Sequence, residues 1–215
     1  MLQGGLFDHI EGGFFRYCVD IDWTIPHYEK MLYNSAQLIE LYSLMYQSNK
    51  DKKINDSIYL TIKWLTEKMR SQEGGFFSSM DADSENEEGD VEEGAYYNWS
   101  LEELRNFLTP DEFLDLYNRF NLDGEPNYDG KKWHLNLRVY DTDEKIKGIR
   151  EKLNTMRQSR IKPTTDKKII TSWNALIIKS LLIAGETFNE PKWIKMAQET
   201  IDFILHKLFI DEKLK

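Results

Sequence analysis

Two kinds of helical pattern alternate along the chain. Residues 29–47 (EKMLYNSAQLIELYSLMYQ) are apolar on most sides, whereas Ile54, Ile58, Ile62, Leu65 and Met69 step by four and three along a single stripe. The order then returns. Residues 173–188 are almost uniformly apolar, and Trp193, Ala197, Ile201, Ile204, Leu205 and Leu208 form one stripe. An enclosed helix followed by a one-sided helix is what a ring of α-hairpins requires, with an inner layer and a solvated outer layer. An ordinary helical bundle is the competing reading.

The pentapeptide EGGFF occurs twice, at residues 11–15 and 73–77, close to the junctions that such hairpins need. Its glycines permit a sharp turn and its phenylalanines can anchor that turn. Two copies do not by themselves make a solenoid or ring, for which three or more units are expected. Between the hairpins the pattern changes. In residues 81–94 (DADSENEEGDVEEG) eight of fourteen positions are acidic, and residues 95–99 (AYYNW) read as a short strand pairing back across that loop. Ser100 with Glu103, and Thr109 with Pro110 and Glu112, read as the starts of two short helices. Residues 121–139 read as irregular or extended, and residues 141–160 as a charged surface helix with a stripe at Ile146, Ile149, Leu153 and Met156.

Composition narrows the function classes. The 215 residues carry a net charge of −9, with Lys and Arg scattered rather than striped, which argues against nucleic acid as a partner. No apolar run reaches membrane-spanning length, and the first residues, MLQGGLFDHI, lack an export signal. The expected compartment is therefore the cytoplasm, in keeping with the single cysteine, Cys18.

Three blocks carry a resemblance: GGLFDHIEGGFFRYCVDIDWTIPHYEKMLYNSAQL, EGGFFSSMDADSENEEGDVEEGAYYNWSLEEL and KIITSWNALIIKSL. In this order they resemble the family that includes spermatogenesis-associated protein 20 and its bacterial relatives. That resemblance implies an all-α dominated fold, a partial α/α toroid of the six-hairpin glycosidase type similar to N-acylglucosamine 2-epimerases, with a short β-hairpin insertion. It implies that residues 1–215 are part of one toroid domain without the family's thioredoxin-like domain. Self-association through exposed inner helices is then expected. Cys18 falls where the family would carry a small hydroxyl residue, and no redox role is expected of it.

The catalytic candidates are His27, Asp81 and Asp83. His27 follows Pro26 at what reads as the start of the first enclosed helix, where the helix dipole disfavours an imidazolium; a structural histidine is the bland alternative. Asp81 and Asp83 alternate in an extended segment, so both carboxylates point to one side, as a pair acting on a glycosidic bond must. Asp81, Asp83, Glu85 and Glu92 also loosely match a calcium loop, but Asn86 stands where its glycine is needed. No metal or other cofactor is expected. Substrate-binding candidates are Arg16, Trp23, Glu29, Lys30, Asn34, Trp173 and Asn174, polar or aromatic residues at helix starts, loops or enclosed positions. Three functions remain open: a sugar epimerase, isomerase or glycosidase acting on a small-molecule carbohydrate; a non-catalytic sugar- or protein-binding module; and an inactive part of a larger protein.

Overall fold

The computed structural model describes residues 1–140, 144–210 and 213–214. Helices dominate it, as the alternating patterns predict. The chain divides into two compact units, each assembled from separate segments. Unit 1 comprises Met1–Glu29 and Asp81–Thr164, and unit 2 comprises Lys30–Met80 and Thr165–Lys215.

Unit 2 contains the two helical hairpins. The first is α1 (Leu32–Asn49) with α2 (Lys52–Trp64), and the second is α6 (Thr171–Thr187) with α7 (Pro191–Phe203). Helices α1 and α6 pack against each other most extensively, and each is backed by the second helix of its own hairpin. The predicted α2 stripe is buried throughout, with Ile54, Ile58, Ile62, Leu65 and Met69 all at most 3% exposed. Each such side chain contributes about 1.5–3 kcal/mol of burial. The α7 stripe differs from expectation, because Trp193, Met196, Ala197, Thr200 and Phe203 face inward while Ile201 and Leu205 are exposed. Repeated steps of four drift about 40° each around a helix, which carries Ile201 and Leu205 off the face that Trp193 defines. Both outer helices end in a π turn, Leu65–Met69 after α2 and Ile204–Leu208 after α7, so the hairpins match in this detail too.

Helix α1 starts later than the apolar pattern suggests. Lys30–Met31 (β3) pairs with Ser79–Met80 (β4), which pairs in turn with Thr165–Asp166 (β7), so sheet hydrogen bonds occupy the segment just ahead of Leu32. Helix α2 is capped by Asp51, whose carboxylate accepts from the Lys53 N–H at 2.8 Å.

Unit 1 carries the short strands β1 (Tyr17–Cys18), β2 (Pro26–His27), β5 (Asp83–Glu85) and β6 (Val91–Glu93), with helices α3 (Leu101–Phe107), α4 (Pro110–Arg119) and α5 (Glu144–Arg157). Both predicted capping boxes form, at Ser100/Glu103 and Thr109/Glu112. The expected helix over residues 141–160 is α5; residues 141–143 lie outside the described residues. Rather than lying on the surface alone, α5 sends Ile146, Ile149 and Leu153 into a core with Trp99, Leu104, Leu116 and Phe120.

The β-hairpin insertion exists, but its second strand is not AYYNW. Strands β5 and β6 pair antiparallel, Asp83 opposite Glu93, and the aromatic stretch after them turns inward. Gly94 has φ +80, and a Cβ there would lie 2.6 Å from the Tyr28 ring, so the hairpin closes tightly on Tyr28 only because this residue is glycine. The two EGGFF copies share one device. In each, the first phenylalanine forms an antiparallel bridge to a residue just upstream, Phe14 with Phe7 and Phe76 with Arg70.

Candidate functional site

The β1–β2 hairpin of unit 1 gathers several candidates. Tyr17 and His27 are opposite each other in the ladder, and their rings stack at 5.1 Å with planes 25° apart. The loop between the strands is held by Asp20, whose carboxylate accepts from the N–H groups of Asp22, Thr24 and Ile25. Burial would raise the Asp20 pKa, but the hydrogen bonds from Ile25, Thr24 and Asp22 outweigh it and hold the carboxylate below its usual value. Cys18 lies in β1; burial, and then the Asp20 charge, push its thiol up to about 11, which keeps it a weak nucleophile.

His27 does not stand at a helix start. It belongs to β2, four residues and a sheet pairing ahead of α1, so the dipole argument for its protonation does not apply. What surrounds it is a set of charged side chains. Its Nδ1 lies 2.6 Å from Glu93 Oε1, and its Nε2 lies 3.6 Å from Glu29 Oε2. Arg16 donates to the same Glu29 oxygen at 2.8 Å. The imidazole is about one quarter exposed. A histidine between two carboxylates, with a guanidinium one step away, can accept and return a proton while the local charge stays balanced.

The acidic hairpin contributes on its outer face. Along residues 81–85 exposed and buried positions alternate, with Asp81, Asp83 and Glu85 outward and Ala82 and Ser84 inward. Asp83 shares a ladder position with Glu93, so the two carboxylates occupy one side of the hairpin. Asp81 Oδ1 is engaged by its own turn, accepting from the N–H of Ala82 at 2.8 Å and of Asp83 at 3.4 Å. Asp83 and Glu85 lie in a strand, not in a helix–loop–helix. Among the described residues no group of three or more His, Cys, Asp or Glu side chains is arranged to hold a metal ion.

Trp23 sits in the β1–β2 loop with φ +61; its ring is partly exposed and its carbonyl accepts from the Gly5 N–H at 2.7 Å. The remaining candidates belong to unit 2, and two of them have structural employment. Asn174 is fully buried: its Oδ1 accepts from the Phe76 N–H at 2.8 Å, and its Nδ2 donates to the carbonyls of Phe76 and Ile170 at 3.0 Å each. It clamps the second EGGFF turn to α6 and has no group left for a substrate. Lys30 is also fully buried, its ammonium 5.0 Å from the centre of the Trp64 ring. Trp173 packs edge-on against Tyr33 at 4.9 Å, and Asn34 is half-buried on α1.

Two features of unit 1 escape the sequence pattern. Glu93 is one of the eight acidic residues of the segment 81–94, most of which reads as solvated. Arg157 reads as one more charge on a charged helix, yet it is 1% exposed and binds Asp8 through both terminal nitrogens at 3.1 and 2.8 Å, with Glu11 at 3.5 Å. Burial opposes its charge, but the carboxylates of Asp8 and Glu11 outweigh burial and raise the guanidinium pKa. His9, beside this group, is held neutral: burial, then the Arg150 charge, lower it to about 3, and its Nε2–H donates to the Gly4 carbonyl at 3.1 Å. His134 is buried with Nε2 2.9 Å from the Gly5 carbonyl, and His206 Nδ1 lies 2.7 Å from the Asp202 carbonyl.

Among the described residues no helix is long and apolar enough to cross a membrane. No family model matches the chain. It is 29% identical to spermatogenesis-associated protein 20 of Homo sapiens over 242 residues, which cover 97% of this chain and 31% of that protein. It is 30% identical to the same protein of Rattus norvegicus, over 97% of this chain and 30% of that one. An uncharacterized protein of Caenorhabditis elegans is 31% identical over 95% of this chain and 32% of its own length. The chain thus spans about 30% of the length of the curated relatives it matches. Among solved structures it is similar to a cellobiose 2-epimerase from Spirochaeta thermophila, with TM-score 0.34 and 12% identity over 95% of this chain and 49% of that one. A D-mannose isomerase gives TM-score 0.33 and 16% identity over 92% of this chain and 46% of that one. By these matches the chain is a relative of the spermatogenesis-associated protein 20 proteins, aligned along nearly its whole length with one part of theirs.

Proposed function

We propose that the chain is a carbohydrate-active segment, part of an α/α toroid, whose chemistry is proton transfer at a sugar carbon next to a carbonyl, with His27 as the base. The observation that carries this reading is the setting of His27, with Nδ1 against the Glu93 carboxylate, Nε2 3.6 Å from a Glu29 oxygen, and Arg16 bound to that same oxygen. Nε2 takes the proton from the carbon, and the electron pair moves onto the carbonyl oxygen. Arg16, whose side chain is 44% exposed and paired with Glu29, is the cation that would stabilise that oxygen. Delivery of a proton to the opposite face by a second acid, while His27 keeps the one it abstracted, gives the epimer; return by His27 to the neighbouring carbon, with a proton shift between the oxygens, gives the isomer. Neither outcome needs an oxidant. Asp81 and Asp83 suit the binding of sugar hydroxyls better than a hydrolytic acid/base pair, because Asp81 already accepts two backbone hydrogen bonds. The sugar class rests on the family resemblance of the three sequence blocks, which is an argument by analogy.

The test is deuterium exchange. The chain is incubated in D2O with glucose, mannose, N-acetylmannosamine and cellobiose, and loss of the C2 proton is followed by NMR. The expected result is exchange on at least one sugar, reduced about 100-fold or more by His27→Asn. Sugar-dependent thermal stabilisation without exchange would make the chain a binding module, and the absence of both exchange and stabilisation would overturn the reading.

A further inference from the structure

We infer that Glu93 is the positioning residue that fixes the tautomer of His27 and leaves Nε2 as its basic nitrogen; this rests on the reading of His27 as the base. The argument begins with one oxygen. Glu93 Oε1 is 2.6 Å from His27 Nδ1 and also accepts the Tyr28 N–H at 3.1 Å. An ionised carboxylate has no proton to offer, so the short contact is favourable only when Nδ1 carries the hydrogen and donates it. Nε2 then holds the lone pair. Glu29 Oε2, at 3.6 Å, is too far from Nε2 to hydrogen-bond with it, and is already bound by Arg16.

The surrounding backbone holds Glu93 in place for this task. The β5–β6 ladder sets Glu93 opposite Asp83, and Gly94 lets the chain close on Tyr28 immediately afterwards. The Tyr128 hydroxyl donates to Glu92 Oε1 at 2.8 Å and also bonds the Glu93 carbonyl. On the imidazole side, the stacked Tyr17 ring fixes the ring plane. A free histidine side chain favours the Nε2–H tautomer, so this arrangement inverts the ordinary preference. It also provides a negative charge beside Nδ1 that stabilises the imidazolium formed once Nε2 has taken a proton. That division of labour, in which a carboxylate orients and the ring reacts, is the one that makes a histidine an efficient base.

The test reads the tautomer directly. Long-range proton–nitrogen correlation spectra are recorded on the ¹⁵N-labelled chain at about pH 8.5, where an ordinary imidazole is neutral. The His27 ring is assigned by its disappearance in His27→Asn. The wild type and Glu93→Gln, which keeps an acceptor oxygen, are expected to show the Nδ1–H form, and Glu93→Ala predominantly the Nε2–H form. In deuterium exchange, Glu93→Ala lowers kcat at least about tenfold with KM little changed, and Glu93→Gln recovers part of the loss. A wild-type ring in the Nε2–H form overturns the inference even if exchange is found, and needs no variant to fold. Unchanged kcat in a folded Glu93→Ala protein also overturns it. If the wild type shows Nδ1–H and Glu93→Ala loses it, but no sugar exchanges, the positioning stands and the sugar chemistry falls.

Discussion

Arg157 and His9 show how differently two buried basic residues that both feel the Asp8 charge are treated. Arg157 keeps its charge because Asp8 and Glu11 meet it directly, while His9 loses its charge because burial and the Arg150 charge outweigh the Gly4 hydrogen bond and the Asp8 charge. The second case predicts a pH dependence. Above pH 6.5 His9 is neutral whether the chain is folded or unfolded, so it contributes no slope. Below that value the unfolded chain binds a proton that the folded chain refuses until about pH 3, so stability falls as pH falls through this window. The slope is at most about 1.4 kcal/mol per pH unit. His9→Gln keeps an N–H near the Gly4 carbonyl but cannot titrate. In urea denaturation between about pH 6.5 and 4, the wild type should lose stability faster than the variant; parallel curves would mean that His9 titrates normally. Neither residue announces its role in the sequence. Arg157 meets Asp8 across 149 positions, and Glu93 meets His27 across 66 positions. His27 stands out in the sequence after Pro26 and among Arg16, Trp23, Glu29 and Lys30, whereas Glu93 is hidden by its many acidic neighbours.

Elements were legible where the signal is local. The capping boxes at Ser100 and Thr109 form because the capping partners lie three residues apart and need nothing else. The AYYNW stretch misled because its aromatic residues suit a strand, but it turns on the Gly94 carbonyl, which accepts from the Tyr97 and Asn98 N–H groups and from Asn98 Nδ2, and Arg160 Nη1 donates to the carbonyls of Tyr96 and Asn98. The second EGGFF turn is held by a distant side chain, Asn174. Replacing Asn174 with Ala strands the Phe76 N–H and C=O in a dry interior, since the side chain that binds both is gone. Each buried unpaired group costs about 1–3 kcal/mol, so Asn174→Ala should destabilise the chain by about 2–3 kcal/mol after relaxation. Equilibrium urea unfolding measures this. A loss below about 0.5 kcal/mol would mean that water replaces the amide, and would free Asn174 for the binding role that its sequence position suggests.

At the scale of the whole molecule, hairpin order and helix dominance were readable, but the division into two units was not. The chain passes from one unit to the other after Glu29, Met80 and Thr164, and no glycine- or proline-rich linker marks these passages, because short β pairings made by distant segments define them. The expected exposure of an inner helix is open to measurement. On α1, Leu41, Leu44 and Met45 are each between 44% and 47% exposed and follow the i, i+3, i+4 spacing of a single face. Covering the exposed half of three such side chains on each of two copies yields about 6–8 kcal/mol. Association costs at least about 4 kcal/mol in lost freedom, so this stripe alone gives at most weak pairing, with a Kd of about 1 mM or higher. Sedimentation equilibrium should therefore show a monomer at about 10 μM and measurable association only near millimolar concentration, abolished by Leu44→Glu. A tight dimer at micromolar concentration that Leu44→Glu leaves intact would assign the contact elsewhere. The β1–β2 loop would then be the surface to mutate first, because Ile21 is 91% exposed between the partly exposed Val19 and Trp23, and Ile21→Glu should dissociate that dimer.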